Sequence, residues 1–140
     1  MKASLRKDNY CFCCGAANPH GLKLSVVPDG HSGVLTEFTA EKKYCGWSNY
    51  LHGGLISLIF DELLGWLSFS LGYDAVTARL EVRYRHPVAL GSRLVLSGEL
   101  ERETRRILDI RTTARLHDGT LAADGKGRMM IMQKRQPASE

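Results

Sequence analysis

One apolar segment, residues 52–71, constrains the fold of this chain more than any other feature. Drawn as a helix, it carries large apolar side chains on nearly every side: Leu55, Ile56, Leu58, Ile59, Phe60, Leu63, Leu64, Trp66 and Leu67. A helix that is apolar all round is a buried element. Hydrophobic residues make up 44% and charged residues 24% of the chain, an ordinary globular balance. The remaining residues must therefore supply a layer that wraps this helix.

Segments in which apolar and polar residues alternate precede and follow the helix in the sequence, and they supply that layer. They predict six strands and a bulge at Gly125 and Gly127, the strands covering residues 22–27, 34–39, 77–84, 93–101, 107–116 and 121–132. Two strands, one long helix and then a run of strands is the order expected of an α+β fold. We therefore predict an antiparallel sheet curled around a single long helix.

The length of 140 residues fits one domain over 1–140, with an irregular cysteine-containing lead-in at 1–20 and a tail at 134–140. No secretory signal is visible at the start, and Asp61 and Glu62 interrupt the longest apolar run. We expect a cytoplasmic protein that is not inserted in a membrane. The formal net charge of +4 mildly favours an anionic partner. Nucleic acid is not expected, because the basic residues follow no recognisable binding motif.

Four cysteines suggest free thiols in a reducing compartment. Cys11 and Cys14 have the C-x-x-C spacing typical of zinc ligands, but no second such pair follows. His20 and Cys45 complete a set only if the fold brings them close. The favoured interpretation is a packed N-terminal turn, with no metal site.

Catalytic chemistry is indicated where the apolar segment begins. Gly53 and Gly54 leave the first helical N–H groups bare, and a helix N-terminus favours negative charge, so a developing oxyanion is stabilised there. Asp61 lies among leucines and isoleucines, where an unpaired charge is expensive, and catalysis is one reason to keep it. The alternatives are a simple loop-to-helix junction and a carboxylate satisfied at a subunit interface.

The chain resembles the PaaI-like acyl-CoA thioesterases of the hotdog superfamily, named for the phenylacetate pathway. The matching stretches are His52-Gly53-Gly54, Asp61-Glu62, residues 77–91, Asp118-Gly119 and residues 122–127. The N-terminal stretches 11–15 and 18–22 are similar to a subgroup with a cysteine-containing lead-in.

This resemblance implies a hotdog fold and hydrolysis of a thioester without a cofactor, coenzyme A being part of the substrate. The N–H of Gly53 or Gly54 is expected to hold the carbonyl oxygen, and Asp61 to act as general base or nucleophile. Thr77 stands where related enzymes place the water with a hydroxyl. His52 either contacts the substrate or orients the loop. Many relatives carry asparagine or glutamine six or seven residues before the histidine, whereas this chain has Cys45-Gly46.

Coenzyme A phosphates require cationic partners. Arg85 and His86, near a strand end, are the first candidates, and Lys126 and Arg128 are further ones. Arg79 is interpreted as a solvent or oligomer contact. For the acyl group, the aromatic residues either line a pocket or fill the core: Trp47, Phe60, Trp66 and Tyr73.

The spacing of the catalytic candidates predicts an obligate homo-oligomer. Asp61 lies eight residues beyond Gly53, which is about 12 Å along a helix, and a base must come within about 3 Å of its water. Asp61 is therefore expected to serve a carbonyl held by an antiparallel partner helix, in a homodimer or a tetramer built from two dimers. The alternative function is a non-catalytic acyl-CoA-binding or sensing protein.

Overall fold

The computed structural model describes residues 5–135, so the ends of the predicted lead-in and tail, residues 1–4 and 136–140, lie outside it. It confirms the predicted α+β architecture of one long helix against an antiparallel sheet. The elements are β1 (Val27–Pro28), β2 (Gly33–Thr39), a short 3-10 helix (Lys42–Tyr44), α1 (Gly53–Ser70), β3 (Tyr73–Tyr84), β4 (Arg93–Glu103), β5 (Ile107–Leu116) and β6 (Leu121–Lys134).

The sheet has six antiparallel strands in the order β1-β2-β4-β5-β6-β3. β3 follows α1 directly in the chain but lies at the sheet edge, where β6 is its one partner strand within residues 5–135. One face of α1 packs across the sheet and forms the centre of the core through Ile56, Ile59, Phe60, Leu63, Leu64 and Leu67. The sheet thus leaves one long edge strand beside the helix.

The predicted bulge at Gly125 and Gly127 is wrong, because both glycines lie in regular register with β3 and β5. They mark the closest approach of sheet and helix. A Cβ at Gly127 would collide with the side chain of Leu64, and one at Gly125 would lie 2.6 Å from the Thr112 hydroxyl and 3.1 Å from the Phe60 ring. Glycine here makes room for α1.

The predicted strand at 22–27 is also wrong, since β1 contains only Val27 of those residues. Lys23 has a positive φ of 53°, which interrupts extended backbone. The N–H groups of Leu22 and Leu24 donate instead to the carbonyls of Phe12 and Cys13, at 2.9 and 2.8 Å. Residues 22–24 therefore pair with the cysteine-containing lead-in, and pairing with the sheet begins at Val27.

The helix is not buried on all sides within one chain. Gly54 and Asp61 are exposed and Ser57, Leu58 and Gly65 are half-buried, so a second face of α1 remains partly open. By length and composition alone α1 could cross a membrane, but core helices meet the same description, and its apolar face packs on the sheet. The expectation that Asp61 is buried among leucines is wrong for the single chain.

Candidate active site

His52 is the N-cap of α1. Its backbone is extended, with φ −63° and ψ 125°, and its Nδ1 accepts a hydrogen bond from the Gly54 N–H at 2.9 Å. Gly54 is therefore not bare as predicted, because its N–H group is satisfied by the cap. Within residues 5–135, the Gly53 N–H has no hydrogen-bond partner and is the free donor at this helix end.

Both Gly53 and Gly54 lie where a Cβ atom would be crowded, but by different neighbours. A Cβ at Gly54 would lie 2.9 Å from the capping Nδ1 of His52, and a Cβ at Gly53 would lie 3.1 Å from the ring of Tyr84. Tyr84, at the end of β3, donates its hydroxyl to the Gly53 carbonyl at 2.9 Å and also contacts the Ser57 hydroxyl. Tyr84 and Ser57 thus hold the first turn in place, a role that the sequence pattern did not indicate.

Asp61 and Thr77 form a hydrogen-bonded pair. The Thr77 hydroxyl donates to Asp61 Oδ1 at 2.7 Å, and both residues are exposed in the chain. The alternation of a regular strand would place Thr77 on the same face as Arg79 and Glu81. A register shift between Thr77 and Arg79 instead turns Thr77 toward the helix, which is how a bulge re-aims a side chain.

A cleft of about 470 Å³ opens at the free end of α1. It is lined by Cys45, Gly46, Trp47, Leu51, His52 and Gly53. A Cβ at Gly46 would lie 3.0 Å from the His52 Cα, so the loop approaches the cap closely only because this position is glycine. The loop therefore lines the cleft with the Cys45 side chain and the Gly46 backbone, without an asparagine or glutamine.

The four aromatic candidates do not form one pocket. Trp47 is 87% exposed and lines the cleft, whereas Phe60 is fully buried in the core. Trp66 donates its indole N–H to Glu62 at 2.9 Å and lies beneath the Lys7 ammonium. Tyr73 is half-buried at the start of β3. Only Trp47 is placed to meet a ligand at the Gly53 N–H.

The candidate residues for binding phosphate differ in how strongly they already bond to other groups of the protein. Arg85 Nε donates to Asp124 at 2.7 Å, and Arg128 makes a two-pronged contact with Asp109 at 2.8 and 3.1 Å. Hydrogen bonding from Arg128 lowers the pKa of the Asp109 carboxyl below its ordinary value. The His86 ring lies 2.7 Å from the Pro87 carbonyl. Arg128 is therefore the least available of these residues to a phosphate.

The outer face of the sheet carries a cationic cleft. It is lined by Glu81, Arg83, Arg85, Arg111, Asp124, Gly125 and Lys126. Two predicted residues, Arg85 and Lys126, thus meet in one cleft, while Arg128 lines its neighbour with Arg79. Arg83 and Arg111 also line this cleft, and neither was among the residues predicted from the sequence.

The cysteines of the lead-in come together with a residue of α1. The ligand atoms of Cys11, Cys14 and Glu62 lie within 4.8 Å of one another. Neither His20 nor Cys45 joins this cluster in the part of the chain described. Glu62, for which the sequence predicted no functional role, is therefore the third member.

Comparison with known proteins places the chain in a family. Residues 48–123 match the family model of the thioesterase superfamily, which covers more than half of the chain. The chain belongs to the thioesterase superfamily. The matched region runs from the loop before α1 into β6 and includes Gly53, Asp61 and Thr77. No curated protein sequence matches.

Solved structures share the fold at low sequence identity. The Streptococcus mutans protein smu.793, bound to acetyl-CoA, superposes with a TM-score of 0.76 at 24% identity, over 81% of this chain and 91% of that one. A Streptococcus pneumoniae hypothetical thioesterase with coenzyme A gives 0.76 at 18%, over 81% and 88%. Escherichia coli PaaI gives 0.76 at 13%, over 81% and 83%. The family match, together with this shared fold, confirms the predicted resemblance to PaaI-like hotdog thioesterases.

The S. pneumoniae protein has also been solved as two alanine variants. One replaces an aspartate and the other a threonine, and the two positions are 16 residues apart. Asp61 and Thr77 have the same separation in this chain.

Proposed function

We propose that this protein hydrolyses acyl-CoA thioesters at two equivalent sites, each shared between two subunits. The observation that carries the proposal is the exposed pair of Asp61 on α1 and Thr77 on β3, together with a Gly53 N–H at the start of α1 that has no partner among the described residues. An acid and an oxyanion donor are both present, and the helix separates them.

The distance between Gly53 and Asp61 is the reason for proposing that two subunits form each site. Eight residues at about 1.5 Å each place Asp61 roughly 12 Å from Gly53 along α1, beyond the reach of a base toward a water at the carbonyl carbon. Two antiparallel copies of α1 bring the Gly53 of one subunit opposite the Asp61 of the other. A two-fold axis between them generates two identical sites.

The open surfaces favour such a pairing. β3 is a 12-residue strand whose outer edge has no partner strand among the described residues, and Val76 on it is 40% exposed. Unpaired strand edges are natural sites for pairing with another chain. Association along β3 would also bring together the partly open faces of two α1 helices. The proposed oligomeric state is a homodimer, or alternatively a tetramer built from two such dimers.

In the proposed reaction the thioester carbonyl oxygen accepts a hydrogen bond from the Gly53 N–H. The helix dipole stabilises the negative charge that develops on this oxygen. Asp61 removes a proton from water, the resulting hydroxide adds to the carbonyl carbon, and the carbon–sulfur bond breaks. The coenzyme A thiolate leaves and takes up a proton, giving a free acid and a thiol. Alternatively the Asp61 carboxylate attacks directly, and water hydrolyses the mixed anhydride. In both routes the Thr77 hydroxyl fixes the carboxylate through Oδ1, leaving Oδ2 for the reaction.

The cationic cleft is the proposed binding site for the phosphates of coenzyme A. Arg83, Arg85, Arg111 and Lys126 surround it, and Arg85 and Lys126 were candidates on sequence grounds. The bound acetyl-CoA and coenzyme A of the streptococcal proteins support a ligand of this class. The matching 16-residue interval between aspartate and threonine in the variant structures supports the Asp61–Thr77 pair as the reactive one.

An acyl-CoA panel with a thiol-trapping reagent tests the proposal. Purified protein is expected to release free coenzyme A from at least one acyl-CoA, and Asp61→Asn protein is not. The apolar cleft wall at Cys45-Gly46 favours the alternative, an acyl-CoA-binding protein without turnover. Calorimetric binding of an acyl-CoA that is never hydrolysed would select that alternative and reject the enzymatic one.

A further inference from the structure

We propose that Cys11, Cys14 and Glu62 form a zinc site that fastens the N-terminal lead-in to the central helix. The proposal is independent of the thioesterase activity. It rests on the meeting of two thiols and a carboxylate from segments far apart in the chain, with Cys11 and Glu62 separated by 51 positions.

The distances suit a tetrahedral ion. The Cys11 Sγ lies 3.8 Å from Glu62 Oε2 and 4.0 Å from Oε1, and all three ligand atoms fall within 4.8 Å of one another. With zinc–sulfur bonds of about 2.3 Å and zinc–oxygen bonds of about 2.0 Å, tetrahedral geometry requires a sulfur–oxygen separation of about 3.5 Å. Small side-chain adjustments therefore close the cluster on an ion.

The lead-in is folded so as to present both thiols. The Gly15 N–H donates to the Cys11 carbonyl at 2.8 Å, closing a turn around Cys14. A Cβ at Gly15 would collide with the backbone of Asn9 and Cys11, so this tight turn requires glycine. The side chain of Asn18, which is buried, donates to the Tyr10 carbonyl at 3.2 Å and accepts from the His20 N–H at 2.9 Å.

Glu62, the third ligand, is oriented by a hydrogen bond from another residue of α1. The Trp66 indole N–H donates to Glu62 Oε1 at 2.9 Å, one turn further along α1. This leaves Oε2 directed at Cys11 and free to bind an ion. Metal-binding carboxylates are commonly held by such an outer hydrogen bond.

Zinc is the expected ion because two thiolates and one carboxylate form a borderline-soft donor set. Hard oxygen-seeking cations such as Mg²⁺ are disfavoured by the sulfurs. A water is proposed as the fourth ligand, since among residues 5–135 the ligand atoms that all lie within 4.8 Å of one another here are those of Cys11, Cys14 and Glu62. Two thiolates and a carboxylate around a divalent ion leave one net negative charge.

Cobalt titration tests the site. Protein purified under reducing conditions and stripped of metal is titrated with Co²⁺, which reports thiolate ligation through a sulfur-to-metal charge-transfer band. We expect one equivalent bound and competed off by Zn²⁺. Cys11→Ser and Glu62→Gln are expected to weaken binding at least tenfold. Glu62→Gln retains an oxygen for the Trp66 indole, so its fold is preserved.

Cys45→Ser is the matched control, because Cys45 is an exposed thiol outside the cluster. It is expected to bind Co²⁺ like the parent protein. Zinc should raise the thermal unfolding midpoint of the parent and of Cys45→Ser but not of Glu62→Gln. Reduced parent protein that gives no charge-transfer band, or Cys11→Ser and Cys45→Ser variants that bind Co²⁺ equally well, would overturn the proposal.

Discussion

Two side chains on different elements, Asp61 on α1 and Thr77 on β3, meet at 2.7 Å, and the proposed chemistry depends on that contact. The carboxylate is exposed in the single chain, so its presence needs no compensation there. In the proposed dimer it becomes enclosed, because a second copy covers the open face of α1. The Thr77 hydroxyl then occupies one carboxylate oxygen and directs the other.

Asp61→Asn tests this pair directly. The amide has the shape of the carboxylate and still accepts from Thr77, but it cannot take a proton or attack. We expect kcat to fall at least about 100-fold while circular dichroism and the elution volume in size-exclusion chromatography stay unchanged. Thr77→Ser keeps the hydroxyl and serves as control. A variant that retains most of its kcat would rule out Asp61 as base or nucleophile.

His52 is predicted to act as a helix cap, not as a catalytic contact. His52→Ala leaves the Gly54 N–H without its acceptor, and we expect the free energy of unfolding to drop by about 1 kcal/mol. His52→Asn restores a side-chain acceptor and should be within a few tenths of a kcal/mol of the parent in urea unfolding, with kcat/KM within a few-fold. A stable His52→Asn protein with severely reduced kcat would instead indicate contact with the substrate.

At the scale of elements, β6 and β3 place their charges by alternation. Gly125 and Gly127 face α1, so Lys126 between them projects to the outer face, where it shares a cleft with Arg83 and Arg85. The end of β3 also carries Tyr84, whose hydroxyl bonds to Gly53. One strand end therefore connects the cationic cleft with the first turn of the helix.

Lys126→Met should raise the KM for an acyl-CoA several-fold and leave kcat nearly unchanged, because a phosphate contact contributes equally to ground and transition states. Added salt should raise the KM of the parent protein through screening. Arg105→Met, in the exposed turn between β4 and β5, removes the same charge elsewhere and is the control. A KM that stays constant from low to high salt would count against recognition by these cations.

At the scale of the whole molecule, the proposed site exists only in an assembly. One chain has both Gly53 and Asp61, but the rigid geometry of α1 keeps them apart. The unpartnered edge of β3 and the open face of α1 are the surfaces through which two chains would combine them. Catalysis and oligomerisation are then inseparable, and dissociation should abolish activity without unfolding.

Hybrid dimers test the shared site. Gly53→Pro removes the free N–H at the first helical position, where proline is tolerated, and His52 before it already has the extended backbone that proline requires. Co-refolding inactive Gly53→Pro and inactive Asp61→Asn chains should restore activity, because each hybrid has one undamaged site. Gly53→Ala is the control, since it adds the same Cβ near Tyr84 but keeps the N–H. Verified hybrids without activity would contradict the shared-site model.

Much of this protein is determined locally by its sequence. The apolar 52–71 segment and the alternating strands predicted the helix, its sheet and the order of elements, because burial periodicity follows directly from backbone geometry. The family was recognisable from short motifs around Gly53 and Asp61. The C-x-x-C spacing of Cys11 and Cys14 is typical of zinc ligands, but the sequence favoured a packed turn without a metal.

Tertiary structure alone decided which of these residues meet. Thr77 faces Asp61 because a bulge shifts the register of β3, and Glu62 joins the cysteines because the lead-in folds back on α1. Each of these contacts depends on the direction of a single side chain. Sequence periodicity predicts only the average orientation of several residues, so it cannot reveal such a contact. Alternation assigns a face to a strand, but one inserted residue reverses that face and with it the chemistry of the site.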